Sequence, residues 1–201
     1  MRQVDHAFRL LLLALCLAAP AAGHAQTRDE ARQRLALMGL EPGIERLVQF
    51  SGQGDLQVVL LLLASGVAAG GSGPGLQATP MHAAAAQGHA QVLAALLEHG
   101  AGIDPADRDG NTPLVNAAYH GHLEAVRLLI ARGANVNAAT ADGSTALAAA
   151  VYSGSGDVLR ELLAHGAAPA VANKAGETPA ALAERAGRVA MAAALRQAAG
   201  R

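Results

Sequence analysis

Three sets of landmarks in this chain recur with one period. Thr79, Thr112, Thr145 and Thr178 are spaced by 33 residues each time, and so are Gly88, Gly121, Gly154 and Gly187. Gly100, Gly133 and Gly166 keep the same interval, with Leu96-Leu97, Leu128-Leu129 and Leu162-Leu163 just ahead of them. A shared period of this length means that one supersecondary unit is repeated. Such units bury their apolar faces only against their neighbours, so the product is a one-dimensional stack.

Each landmark answers a local backbone problem. Thr followed by Pro, at 79–80, 112–113 and 178–179, offers a side-chain acceptor at a helix N-cap and a residue of locked φ at the first helical position. The Gly that follows, at 88, 121, 154 and 187, suits the left-handed residue that ends a short helix. A second helix is then predicted, for example Leu123 to Ala131, with Val126, Leu129 and Ile130 on one face. It stops at the next Gly. Asn135-Val136-Asn137 leads out, and Asp109-Gly110 or Asp142-Gly143 supplies the turn back to the next Thr.

Composition limits what fills and surrounds this stack. Hydrophobic residues make up 52% of the chain and aromatics only 2%, so the helices must pack closely through Leu, Val and Ala and not through bulky rings. Charged residues are 15% of the total, the net charge is −1, and Lys174 is the only lysine. That balance gives no electrostatic footing for nucleic acid or for an anionic membrane surface.

The repeated segments resemble the ankyrin repeat. Gly110-Asn-Thr-Pro-Leu-Val-Asn-Ala-Ala-Tyr-His-Gly-His122, continued by Leu128-Leu129 and Gly133-Ala-Asn-Val-Asn137, follows the family pattern closely. Thr79-Pro-Met-His82, Ala84-Ala85 and Gly88-His89 repeat it. The resemblance covers residues 41–201 and implies an all-α ankyrin-repeat solenoid of helix-turn-helix units with projecting turns, capped at both ends. It divides the chain into a short N-terminal helix (26–40), an N-terminal capping repeat (41–73), three repeats (74–106, 107–139, 140–172) and a C-terminal capping repeat (173–201). In the first cap Leu47 to Gly54 and Asp55 to Gly66 keep the two-helix spacing without Thr-Pro. In the last cap Glu184 and Arg185 replace small or uncharged residues. Thr27-x-x-Glu30 reads as a capping box opening a helix from Arg28 to Met38. The turn before Thr79, Ala69-Gly-Gly-Ser-Gly-Pro-Gly75, is one residue longer than its siblings and is expected to be a mobile loop.

At the start of the chain Arg2 and Arg9 precede an apolar stretch, Leu10 to Ala19, and then small residues ending Gly23-His24-Ala25-Gln26. This is the pattern of a secretory signal peptide over residues 1–25, cleaved after Ala25. The apolar centre is shorter than the roughly 20 residues that cross a bilayer. Leu15 before Cys16 argues against a lipoprotein site, and removing the segment leaves no cysteine. The expectation is a protein exported to a bacterial periplasm, free of the membrane after cleavage and stabilised by packing without disulfides.

Histidine is the first candidate for chemistry. His120-x-His122 has a spacing that could ligate a metal. The resemblance instead gives His82 a turn-bracing role and sets His89 and His122 at the start of second helices. His99 and His165 precede repeat-ending glycines, where partial positive charge suits a helix C-terminus. Only His120 has no position in the pattern. Asp104, Asp107 and Asp109 could in principle hold Ca²⁺, but they lie in a turn where Asp is ordinary. No nucleophile elbow or phosphate loop is present, so neither a catalytic residue nor a cofactor is expected.

The resemblance implies that a partner is read by the positions the repeat leaves free, at the turn tips and the exposed end of each first helix. The tips are Arg108, Asp109 and Asn111, then Asp142 and Ser144, then Lys174 and Glu177. The helix positions are Gln87, then Tyr119 and His120, then Tyr152 and Ser153, then Arg185. Tyr119 and Tyr152 are the only tyrosines and fall at one position of adjacent repeats, a pattern that suits an interface hot spot. The expected function is a non-catalytic scaffold, monomeric, that binds a protein partner through its concave face. The resemblance suggests an accessory factor in oxidative-stress defence. The alternatives are an inhibitor or immunity protein that blocks a periplasmic enzyme or toxin, and a small metal- or ligand-binding enzyme using His120 and the aspartates.

Overall fold

A computed structural model describes residues 27–72 and 78–200. The segment read as a signal peptide lies outside these residues, as do residues 73–75 of the glycine-rich turn before Thr79, the loop expected to be mobile. The described chain forms eleven helices. The first, α1 (Arg28–Leu37), is opened by the capping box: the Thr27 Oγ accepts from the Glu30 N–H at 3.3 Å, and the Glu30 carboxylate accepts from the Thr27 N–H at 3.2 Å. Five helix pairs follow: α2 (Ile44–Gln53) with α3 (Leu56–Ala64), α4 (Pro80–Ala86) with α5 (Ala90–Glu98), and α6 (Pro113–Tyr119) with α7 (Leu123–Ala131). The last two are α8 (Ala146–Ser153) with α9 (Gly156–Ala164), and α10 (Pro179–Arg185) with α11 (Val189–Ala199).

The pairs stack in two layers. The first helices α2, α4, α6, α8 and α10 form one row, the second helices α3, α5, α7, α9 and α11 the other, and α1 lies on α3. First helices can approach closely because their contact faces are alanine: Ala84 and Ala85 on α4, Ala117 and Ala118 on α6, Ala148 to Ala150 on α8, Ala183 on α10, all buried. Leucine fills what is left. Leu47, Leu62, Leu93, Leu96, Leu114, Leu129, Leu147, Leu159, Leu162 and Leu195 are fully buried, so each unit contributes its own section of a continuous core. Truncating one of these to Ala typically costs about 2–5 kcal/mol. Val126 and Leu129 of α7 face this core and Ile130 packs at its edge, as the periodicity predicts.

The threonine caps divide by repeat. Thr112 and Thr178 accept from the N–H groups of Val115 and Ala181 at 3.4 and 3.3 Å. At Thr79 the partner is a side chain, His82. The Thr145 hydroxyl is buried and makes no hydrogen bond; its backbone is instead drawn into an antiparallel bridge with Ala139. The glycines that end the helices are left-handed as predicted, with φ of +74°, +75°, +75° and +68° at 88, 121, 154 and 187. At the C-terminal end Glu184 pairs with Arg196 and Arg185 with Glu177, clothing the outer face in charge.

Candidate functional site

The projecting turns are built alike. Asp107, Thr140 and Asn173 open them, each N–H donating to the carbonyl four residues on, at 3.0, 2.9 and 3.0 Å. The Asp107 carboxylate accepts the N–H groups of Asp109 and Asn111, and the Asn173 side-chain oxygen those of Ala175 and Glu177. Adjacent tips are tied together: Ala141 N–H donates to the Asp109 carbonyl and Lys174 N–H to the Asp142 carbonyl, both at 2.7 Å. A rigid comb of tips results, spaced by the helix stack beneath it.

Asp142 is held in its charged form. The Thr140 hydroxyl donates to Oδ1, and Ser144 donates from its N–H at 3.1 Å and from its hydroxyl at 2.9 Å. Those bonds, the Thr140 hydroxyl first, hold the carboxyl below the ordinary aspartate range.

Of the residues that sequence reasoning placed on the partner face, nine are exposed: Gln87, Arg108, Asp109, Tyr119, His120, Asp142, Tyr152, Lys174 and Arg185. The other four are half-buried and engaged within the chain. Asn111 donates to the Asp107 carboxylate, Ser144 to Asp142, and Ser153 to the Ala150 carbonyl at 3.0 Å, while Glu177 pairs with Arg185.

The aromatic pair is brought together. Tyr119 and Tyr152 are 53% and 48% exposed, with ring centroids 6.3 Å apart and planes inclined by 45°. His120 meets the Tyr119 ring edge-on at 5.2 Å and stacks on His122 at 6.1 Å. A strip of rings therefore runs over two consecutive repeats of a chain that has few rings anywhere.

Most histidines serve the stack. His82 is 3% exposed; its Nδ1 takes the Thr79 N–H at 3.1 Å and its Nε2 donates to the Asn111 carbonyl in the next repeat at 2.9 Å. His99 and His165 bond the Ala95 and Glu161 carbonyls at helix C-termini, as expected. His89 and His122 do more than start second helices. Each Nε2 reaches back to the repeat before, to the Gly52 carbonyl at 3.2 Å and the Ala86 carbonyl at 3.0 Å. Arg188, at the same register in the last unit, bonds the Tyr152 carbonyl at 2.9 Å. Sequence reasoning missed this ladder, although Arg188 following Gly187 in the Gly-His position was its signal.

Residues 47–140 match the family model of three tandem ankyrin repeats, and residues 142–174 match the single ankyrin repeat. The chain belongs to the ankyrin-repeat family. Comparison with curated proteins finds none that matches. The ankyrin repeats make it a protein-interaction scaffold in kind. Among the described residues no group of three or more His, Cys, Asp or Glu side chains is placed to hold a metal ion. Asp104 and Asp107 accept backbone N–H groups of the stack, and the His122 Nε2 is bound to a carbonyl. No described helix is long and apolar enough to cross a membrane.

Proposed function

We propose that this ankyrin-repeat protein is a non-catalytic scaffold, exported to the periplasm, that holds a protein partner against its concave face. The observation that carries the reading is the exposed Tyr119–Tyr152 pair, at one position of adjacent repeats and in mutual contact. Nothing in the repeat requires a ring there: the same position is Ala86 in the repeat before and Arg185 in the unit after. Large amphipathic rings give much contact area for little lost side-chain entropy, which is why they dominate interface energetics. His120 lies against Tyr119, and Gln87, Asp109, Asp142 and Lys174 are further exposed polar groups suited to a rim.

The test is affinity capture from periplasm with the wild-type chain and a Tyr119→Ala, Tyr152→Ala double variant. A discrete partner lost with the two rings, while the helical signal and melting temperature are kept, supports the concave face. Equal recovery by both proteins refutes it. The same partner separates the finer readings. A helper in peroxide defence raises its enzyme's yield or activity, whereas an inhibitor or immunity factor lowers it. Export rests on the pattern of residues 1–25 and predicts a periplasmic product beginning at Gln26.

A further inference from the structure

Four junctions join the five stacked units, and three are closed by one device. The residue after the left-handed glycine reaches back and donates to a carbonyl at the end of the previous unit's first helix: His89 to Gly52, His122 to Ala86, Arg188 to Tyr152. In each case the ring or guanidinium also covers that unit's glycine. A Cβ on Gly54 would lie 2.6 Å from the His89 ring, and one on Gly88 2.7 Å from the His122 ring; at Gly154 it would run into Arg188. The junction between 107–139 and 140–172 is different. Its residue is Ser155, which turns inward, its Oγ accepting from the Val158 N–H at 3.3 Å. The nearest atoms to a Cβ on Gly121 would be the Ser155 Cβ at 3.4 Å and the Ser153 side chain just beyond it, with no ring or guanidinium tip among them. Among the described residues no side chain donates to the Tyr119 carbonyl. The result is a notch in the cover over Gly121, where the other junctions carry a ring or guanidinium. Its nearest side chains are Ser153 and Ser155, and Tyr119 and Tyr152 are exposed in the same two repeats.

We propose that this notch receives an arginine side chain of the protein partner. The guanidinium donates to the Tyr119 carbonyl as Arg188 does to the Tyr152 carbonyl one repeat later, and lies against the tyrosine rings. This rests on the concave-face reading above and adds the chemistry of what is bound. Arginine fits better than lysine, because a planar fork donates in its plane while offering a face to an aromatic ring. The π-faces of Tyr119 and Tyr152 attract the cation. With a chain net charge of −1 there is little long-range steering, so recognition falls to this contact.

The probe is the peptide acetyl-Gly-Gly-Arg-Gly-Gly-amide, titrated into the purified protein and followed by amide chemical shifts. Its counterpart with citrulline keeps N–H donors but loses the charge. Shifts confined to Gly121, Ser155 and the two tyrosines are expected, with the citrulline peptide bound about tenfold more weakly. Ser155→Arg supplies the missing side chain from within, so it should remove the response while the melting temperature holds or rises. Shifts scattered over the surface, equal binding of citrulline, or an undiminished response in Ser155→Arg would overturn the proposal. With a captured partner the two readings separate. Binding lost in the double tyrosine variant but unchanged in Ser155→Arg leaves the concave face standing and removes the arginine notch. Binding lost in both supports both.

Discussion

Arg188 Nη2 donates to the Tyr152 carbonyl at 2.9 Å, tying the last unit of the stack to the one before it across 36 residues of sequence. The same guanidinium has its Nη1 buried without a hydrogen bond, a cost that the imidazoles of His89 and His122 do not carry. Removing the tie with Arg188→Ala should therefore destabilise by about 1 kcal/mol. Arg188→His should recover the loss, since an imidazole Nε2 makes this bond at two other junctions. Urea unfolding of the three proteins checks it; a histidine variant no better than alanine would show that only the charge matters.

Adjacent tips are pinned so closely that only glycine fits between them. Gly110 has φ +75°, and a Cβ there would sit 2.8 Å from the Ala141 nitrogen, which is itself bonded to the Asp109 carbonyl. Gly133 has φ +89° with nothing within 4 Å. Both alanine variants bear the left-handed penalty of about 1 kcal/mol, but only Gly110→Ala must also push the neighbouring backbones away from each other. We expect Gly133→Ala to cost about 1 kcal/mol and Gly110→Ala about 3 kcal/mol. Equal unfolding midpoints would mean that the comb of tips gives way.

The stack was legible in the sequence because each landmark solves a local problem: Thr-Pro starts a helix, Gly ends it, Asp-Gly turns the chain. Tyr119 and Tyr152 were legible for the opposite reason, since no local problem calls for a ring at that register. Asn111, Ser144 and Ser153 were not separable from true surface groups. A short polar side chain in a turn serves its own backbone as readily as a partner, and only the bonds to Asp107, Asp142 and the Ala150 carbonyl tell which. The notch at Gly121 was hidden because it depends on reach over 36 residues. Ser155 is unremarkable until His89, His122 and Arg188 show what the other junctions do.

His82 braces its own turn and the next repeat together. The Thr79 N–H can only donate and the Asn111 carbonyl can only accept, so Nδ1 is the bare nitrogen and Nε2 carries the proton. His82→Ala leaves the buried Thr79 N–H unmet, takes one of its two donors from the Asn111 carbonyl and opens a void under the turn. A loss of about 2–3 kcal/mol follows. Amide exchange should accelerate first at Thr79 and in the turn from Asp107 to Asn111, where the bond to the next repeat is lost. Uniform acceleration along the chain would contradict this local role.

Asp142 gives the turn comb a weak dependence on acid. Its carboxylate is favoured in the fold by Thr140 and Ser144, so its folded pKa lies below the unfolded value. A depressed carboxyl stabilises fully above the unfolded value, about 3.9, and the contribution fades as pH falls through the lower, folded one. The group is exposed, so the gain at neutral pH is screened to about 0.5 kcal/mol or less. Asp142→Asn keeps one oxygen for the Thr140 hydroxyl and the Ser144 N–H, and loses the charge together with the oxygen that accepts from the Ser144 hydroxyl. Its melting temperature should fall slightly below wild type at pH 7, and the gap should narrow as pH falls through the folded pKa and the native carboxyl is neutralised as well. A gap that persists in acid would assign the effect to side-chain shape and not to the carboxylate.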